Sequence, residues 1–124
     1  MQQLLARCGK ELDLRLLMAH PQLVFVRGDA FRFEPSGRVD WLLCDVIAAP
    51  ERTLELLRRW LAERWCRRFV VTVKFKGTAD YPLLDPLKAY LPTVCSEFRL
   101  TRLCANHNEA CVAGIAARPD PAAS

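Results

Sequence analysis

No apolar run in this 124-residue chain approaches the roughly 18 residues that a membrane-spanning helix requires, so no segment reads as a span. The N-terminus, MQQLLARCGKELD, lacks a signal-peptide layout, because its apolar stretch is short and charge follows at once; a cytoplasmic location is expected. Glycine is scarce. The five stand at 9, 28, 37, 77 and 114, none near enough to another to form a G-x-G turn that admits a cofactor against the backbone. Six cysteines are present, but no two form a C-x-x-C pair and most fall inside apolar runs, which suits reduced core thiols better than a disulfide framework. Cys104, His107 and Cys111 could converge across a hairpin, yet they lack a fourth ligand, and no metal is expected. Internal repeats are absent too.

What is there is globular: 52% hydrophobic and 26% charged residues, enough for one domain with a real core, and a net charge of +4 that weakly favours an anionic partner. Residues 2–19 carry leucines that allow a helix or two short ones. LVFV at 23–26 reads as a short strand running into a loop, RGDAFRFEPSGR, so Asp29 sits just past a strand end. VDWLLCDV, from Val39 to Val46, reads as a buried strand that delivers Asp45 to its C-terminal end, where open α/β sheets keep their ligand sites. Pro50 and Glu51 then start an amphipathic helix with Leu54, Leu57 and Leu61 on one face, widened by Leu56, Trp60 and Trp65. A turn is expected at 66–68 and a β-branched strand at 69–77. Tyr81 to Leu91 reads as a short helix stopped before Pro92; 98–104 and 110–116 read as an antiparallel hairpin, and 117–124 as a disordered tail.

Strand, helix and strand make a βαβ unit, whose right-handed crossover sets the two strands parallel and brings Asp45 and Lys74 to one sheet end. Glu109 joins them from the hairpin tip. A lysine between two carboxylates suits proton handling only where burial opposes the carboxylates' preference for its ammonium form. The same three residues also suit a helix cap, a solvated strand end and a turn, and spacing alone leaves both readings open.

FVRGDAFRFEP, followed by VDWLLCDVIAAPERTLELLRRWLAERWCRRFVVTVKFKG, resembles the later part of the catalytic domain of bacterial 23S ribosomal RNA ribose 2'-O-methyltransferases of the FtsJ-like group, over residues 12 to 116. The resemblance implies a partial Rossmann-like α/β fold with a mostly parallel sheet and an antiparallel C-terminal hairpin. It also implies S-adenosylmethionine as cofactor, 23S ribosomal RNA as partner, and transfer of a methyl group to a cytidine ribose. It gives Asp45, Lys74 and Glu109 to a Lys-Asp-Lys-Glu catalytic set with Lys74 as proton acceptor. Asp29 matches the acid that faces the cofactor's adenine, with Ala30 beside it and Asp45 also near the cofactor. Arg67, Arg68 and Lys76, with Arg58, Arg59, Arg64, Arg99 and Arg102 nearby, are candidate phosphate contacts, an ordinary solvated helix face being the alternative.

The chain departs from that family in its missing glycine-rich loop, first catalytic lysine, acid for the cofactor ribose and N-terminal RNA-binding domain; residues 1–11 match nothing. Residues 1–116 are therefore expected to be a partial catalytic domain without the first strands, leaving the edge of the 41–46 strand open to pairing with a second copy. A gene fragment or misplaced start, a remnant that forms a homodimer, and a piece completed by a separate polypeptide are the three expectations, the first ranked ahead. A non-catalytic RNA-binding or assembly module is the alternative to an enzyme.

Overall fold

The computed structural model describes residues 3–7, 26–75, 81–103 and 108–117. These form a mixed α/β sheet of five strands: β1 (Gln3–Arg7), β2 (Val39–Asp45), β3 (Cys66–Lys74), β4 (Cys95–Leu103) and β5 (Glu109–Ala116). The spatial order is β1-β2-β3-β5-β4. The first three run parallel, and β5 lies antiparallel to both β3 and β4. Helix α1 (Pro50–Ala62) makes the crossover from β2 to β3. A 3-10 turn at Tyr81–Leu84 leads into α2 (Asp85–Val94) before the closing hairpin.

Alternation along the strands decides which sheet face is covered. Leu42, Cys44, Val46, Phe69, Val71, Val73, Ala110 and Val112 are buried, and each lies an even number of residues from the others on its strand, so they share one face. α1 packs on β3 and α2 on β4. Thr53, Leu56, Leu57, Trp60 and Leu61 are the buried stripe of α1, while Leu84, Leu87 and Leu91 serve α2 and the turn before it. The stripe on α1 is rotated from the expected one: Leu54 is half-buried and Thr53 takes its place. The opposite sheet face carries Trp41, Leu43, Asp45, Val70, Thr72, Lys74 and Glu109, none of them fully buried.

The C-terminus of α1 corrects the expected turn at 66–68. The Trp65 N–H donates to the Trp60 carbonyl at 2.9 Å and the Arg64 N–H to the Leu61 carbonyl at 3.2 Å, the paired bonds of a Schellman cap. Arg64 adopts a left-handed φ of 57°, where glycine is the usual occupant, and the Trp60 and Trp65 rings meet edge to face at 5.4 Å. The reversal thus ends at Trp65, and Arg67 and Arg68 belong to β3.

Three further expectations change. Residues 3–7 are a strand and not a helix, paired in parallel from Gln3 beside Trp41 to Arg7 beside Asp45. The β2 edge expected to stand open is therefore filled from within the chain, because its unpaired N–H and C=O groups are best satisfied by another strand. α2 continues through Pro92 to Val94, with the proline standing inside the helix. The expected strand at 23–26 lies outside the described residues except for Val26, which is exposed and in no strand. Lys76, Cys104, His107 and the tail beyond Ala117 also lie outside them.

Among the described residues, Cys44, Cys66, Cys95 and Cys111 form no disulfide with one another. Burial pushes Cys66 up to about 12, an effect that Arg38 opposes and Cys95 slightly reinforces, and burial pushes Cys95 up to about 11. Unfolded thiols titrate near 8.5, so above that pH the folded state binds more protons than the unfolded one. The stability these thiols contribute is complete below about pH 8.5 and lost as pH rises toward 12. The urea midpoint is expected to hold steady from pH 7 to about 8.5 and fall steadily above it, with native Cys66 and Cys95 resisting iodoacetamide at pH 8. A midpoint unchanged at pH 11 would contradict the assignment.

Candidate active site

Asp45 is the last residue of β2 and Lys74 the last of β3, two adjacent parallel strands whose side chains at these positions rise from the same face, the one that no described helix covers. The ladder has Cys44 opposite Val71, so Lys74 stands about two residues beyond Asp45, a diagonal a long side chain can span. It does so: Lys74 Nζ lies 2.8 Å from Asp45 Oδ1, with the lysine side chain 26% exposed and the aspartate 51%. Glu109 opens β5 directly opposite Lys74. Side chains so paired stand on one face with Cβ atoms about 5 Å apart, although no ion pair within 4.0 Å joins these two. The Phe75 N–H donates to the Asn108 carbonyl at 2.9 Å, holding the ends of β3 and β5 together just past the pair. Asn108 has a left-handed φ of 62°, which asparagine tolerates better than most residues.

Asp29 lies in the 26–38 loop. Its Oδ1 accepts the Phe31 N–H at 2.9 Å and its carbonyl the Arg32 N–H at 3.0 Å, a self-closed turn. The loop is held on α1 by Arg59, a candidate phosphate contact from the sequence, and by Arg52. Arg59 pairs with Glu34 and also donates to the Phe31 carbonyl at 3.4 Å, while Arg52 lies over the Phe31 ring at 4.1 Å. An exposed carboxylate beside the Ala30 N–H offers an acceptor and a donor side by side, the complement of adenine's amino group and ring nitrogen, so the donor set fits the adenine end of an adenosyl cofactor. Among the described glycines, Gly28 and Gly37 face open space and Gly114 abuts Phe69, so none of these cradles the cofactor's other end.

Of the described candidate RNA contacts, Arg102 lies near this end, opposite Ala110, while Arg67, Arg68 and Arg99 lie away from it. Arg68 is six residues before Lys74, about 20 Å along the strand, and its guanidinium lies 5.6 Å from the Trp41 ring centre. Arg67 is paired with Asp40 at 2.7 Å. Arg58 and Arg102 cover the rings of Tyr90 and Tyr81. A shallow groove on the uncovered face runs past Trp41, Arg68, Val70, Arg99 and Ile115. Among the described residues no cluster of three His, Cys, Asp or Glu side chains could hold a metal ion, and no helix is long and apolar enough to cross a membrane.

Three comparisons bear on this arrangement. The chain is 36% identical over 81 residues to the ribosomal RNA large subunit methyltransferase M of Edwardsiella ictaluri, covering 65% of this chain and 22% of that protein. The methyltransferase M of Halorhodospira halophila is 43% identical over 68 residues, 55% of this chain and 18% of the relative, and that of Alkalilimnicola ehrlichii 45% over 49 residues, 40% and 14%. This chain is related to the large-subunit methyltransferases M. It spans less than a quarter of the length of these methyltransferase M relatives. No family model matches it.

Proposed function

We propose that this chain carries the proton-handling part of a ribose 2'-O-methyltransferase site that acts on 23S ribosomal RNA, at a cytidine, in the cytoplasm. The observation that supports it is the Lys74–Asp45 pair at 2.8 Å, with Glu109 opposite Lys74, at the C-terminal end of adjacent parallel strands. The partly parallel sheet with its antiparallel hairpin suits a Rossmann-like methyltransferase fold. S-adenosylmethionine, when bound, supplies an electrophilic methyl group on a sulfonium. Asp29 and Ala30 would hold its adenine edge. Lys74 would take the proton of the ribose 2'-hydroxyl on Nζ, leaving that oxygen to receive the methyl group that the cofactor would supply. Asp45 receives the resulting ammonium, and Glu109 limits where Nζ can move.

Calorimetric titration with S-adenosylmethionine tests the cofactor half of this reading. Saturable heat at micromolar to high-micromolar ligand, reduced about tenfold in affinity by Asp29→Asn as one hydrogen bond to a charged group is lost, is expected. The absence of heat at millimolar ligand would remove cofactor binding from this chain. A second reading, an RNA-binding or assembly module without chemistry, draws on Arg68, Arg99 and Trp41 around the groove far from Lys74. It is favoured if RNA binding is salt-sensitive and survives in a chain that takes up no cofactor.

A further inference from the structure

We infer that Arg59 is a positioning residue that fastens the Asp29–Glu34 loop to α1 in the conformation that presents the Asp29 carboxylate and the Ala30 amide to an adenine edge. This rests on the reading above that those two groups meet the cofactor. Three contacts converge on one guanidinium: the Glu34 carboxylate on Nη2, the Phe31 carbonyl at 3.4 Å from Nη1, and the Trp65 ring 5.0 Å from Cζ. Arginine alone among side chains supplies such a planar fork and a stacking face at once. Trp65 is itself fixed, by its ring against Trp60 and its N–H on the Trp60 carbonyl, so the guanidinium is seated on a rigid floor. Arg52, about two turns earlier on the same face, closes on the Phe31 ring from the first turn of the same helix. The loop thus has two anchors on α1, and α1 begins five residues after Asp45, which ties the loop's place to the strand end where Lys74 and Asp45 meet.

The arrangement is local in its energetics. The Arg59 side chain is 42% exposed and Glu34 64%, and ion pairs so exposed contribute little to global stability. Their role is to hold a short segment closed internally by the Asp29 turn and by an exposed Arg32–Asp29 ion pair at 3.9 Å, and such segments open far below the global unfolding free energy. An unfastened loop must be ordered by the ligand itself, which appears as weaker binding. Arg59 is therefore expected to tune cofactor affinity with almost no effect on the melting midpoint.

The test uses the full chain and two readouts. In Arg59→Ala, amide hydrogen exchange at Phe31 and Arg32 is expected to accelerate by roughly tenfold or more while the β3 amides keep their rates. S-adenosylmethionine affinity by calorimetry is expected to fall on the order of tenfold. Arg58→Ala, on the neighbouring position but seated over Tyr90, serves as the control that changes neither. Arg59→Ala combined with Asp29→Asn should cost less affinity than the two separate losses multiplied, because the first acts through the second. Unchanged exchange in Arg59→Ala overturns the inference, as does accelerated exchange with full affinity or fully independent losses in the double variant. If the unaltered chain binds no S-adenosylmethionine, the cofactor role of Asp29 falls, and the exchange rates alone then decide whether Arg59 holds the loop.

Discussion

Lys74→Ala is expected to lower methyl transfer to 23S ribosomal RNA by a factor on the order of 10² to 10⁴, the usual contribution of a positioned general base. Labelled methyl incorporated into deproteinised RNA, compared with the unaltered protein, gives the measurement. The effect must be separated from misfolding, and the structure makes this straightforward. Asp45 is half-exposed and the Lys74–Asp45 pair sits on the uncovered face, so its loss removes little packing and the melting midpoint should move by no more than a few degrees. Lys74→Arg sharpens the test, because arginine keeps the charge and the reach to Asp45 but does not give up its proton in proteins; it should be as inactive as alanine. Asp45→Asn removes the partner that fixes Nζ and should fall between the unaltered protein and Lys74→Ala. Activity within a few-fold of the unaltered level in both Lys74 variants would show that the proton goes elsewhere.

Gly114→Val is expected to be a severe structural lesion. A Cβ at this position meets the Glu97 carbonyl oxygen at 2.7 Å and the Phe69 ring at 2.8 Å. Neither can yield cheaply: Phe69 is fully buried in the core, and Glu97 belongs to β4, which is hydrogen-bonded to β5 along its length. Overpacking of this kind costs about 3 kcal/mol or more, and in a chain of this size each kcal/mol is worth roughly 3–5 °C, so the midpoint should drop by about 10 °C or beyond. Phe69→Leu in the same background should recover only part of the loss, because the clash with the Glu97 carbonyl remains. A valine variant that melts within 3 °C of the unaltered chain would mean that β4 and β5 separate more easily than their pairing indicates.

Gly114 also illustrates what was legible. It stands inside the strand sequence EACVAGIA at the place where Phe69 lies against β5, and an isolated glycine in a strand is itself a signal of close approach. The sequence reading placed the strand and passed over the glycine. β2, α1, β3 and the hairpin were readable because their patterns are local: alternation on the strands, Pro50 at a helix start, and an apolar stripe at helical spacing. Residues 3–7 were not, since two leucines among polar neighbours suit either period, and the partner that decides, β2, lies 38 residues away. The end of α1 was misplaced because Arg64 occupies a left-handed position that glycine would have announced. At the candidate site, Asp45 and Lys74 could be brought together from the βαβ crossover alone. Arg59 and Arg52 could not be separated from solvated arginines, because their partners Glu34 and Phe31 are 25 and 21 residues earlier, in a loop without periodicity.

The order of the sheet sets the order in which it can be completed. β2, α1 and β3 form a unit from contiguous chain, and β1, already synthesised, can join it at once. β5 cannot: it is the last of the described strands, yet its place is between β3 and β4. Until Ala116 has emerged, the inner edge of β3 offers its hydrogen-bonding groups beside Val71 and Val73 to any neighbouring strand, and β4 has nothing to pair with. Closure therefore depends on contacts far apart in sequence, the kind that slow folding to milliseconds or longer, and a chain that loses its final strand loses the means to seal its own centre.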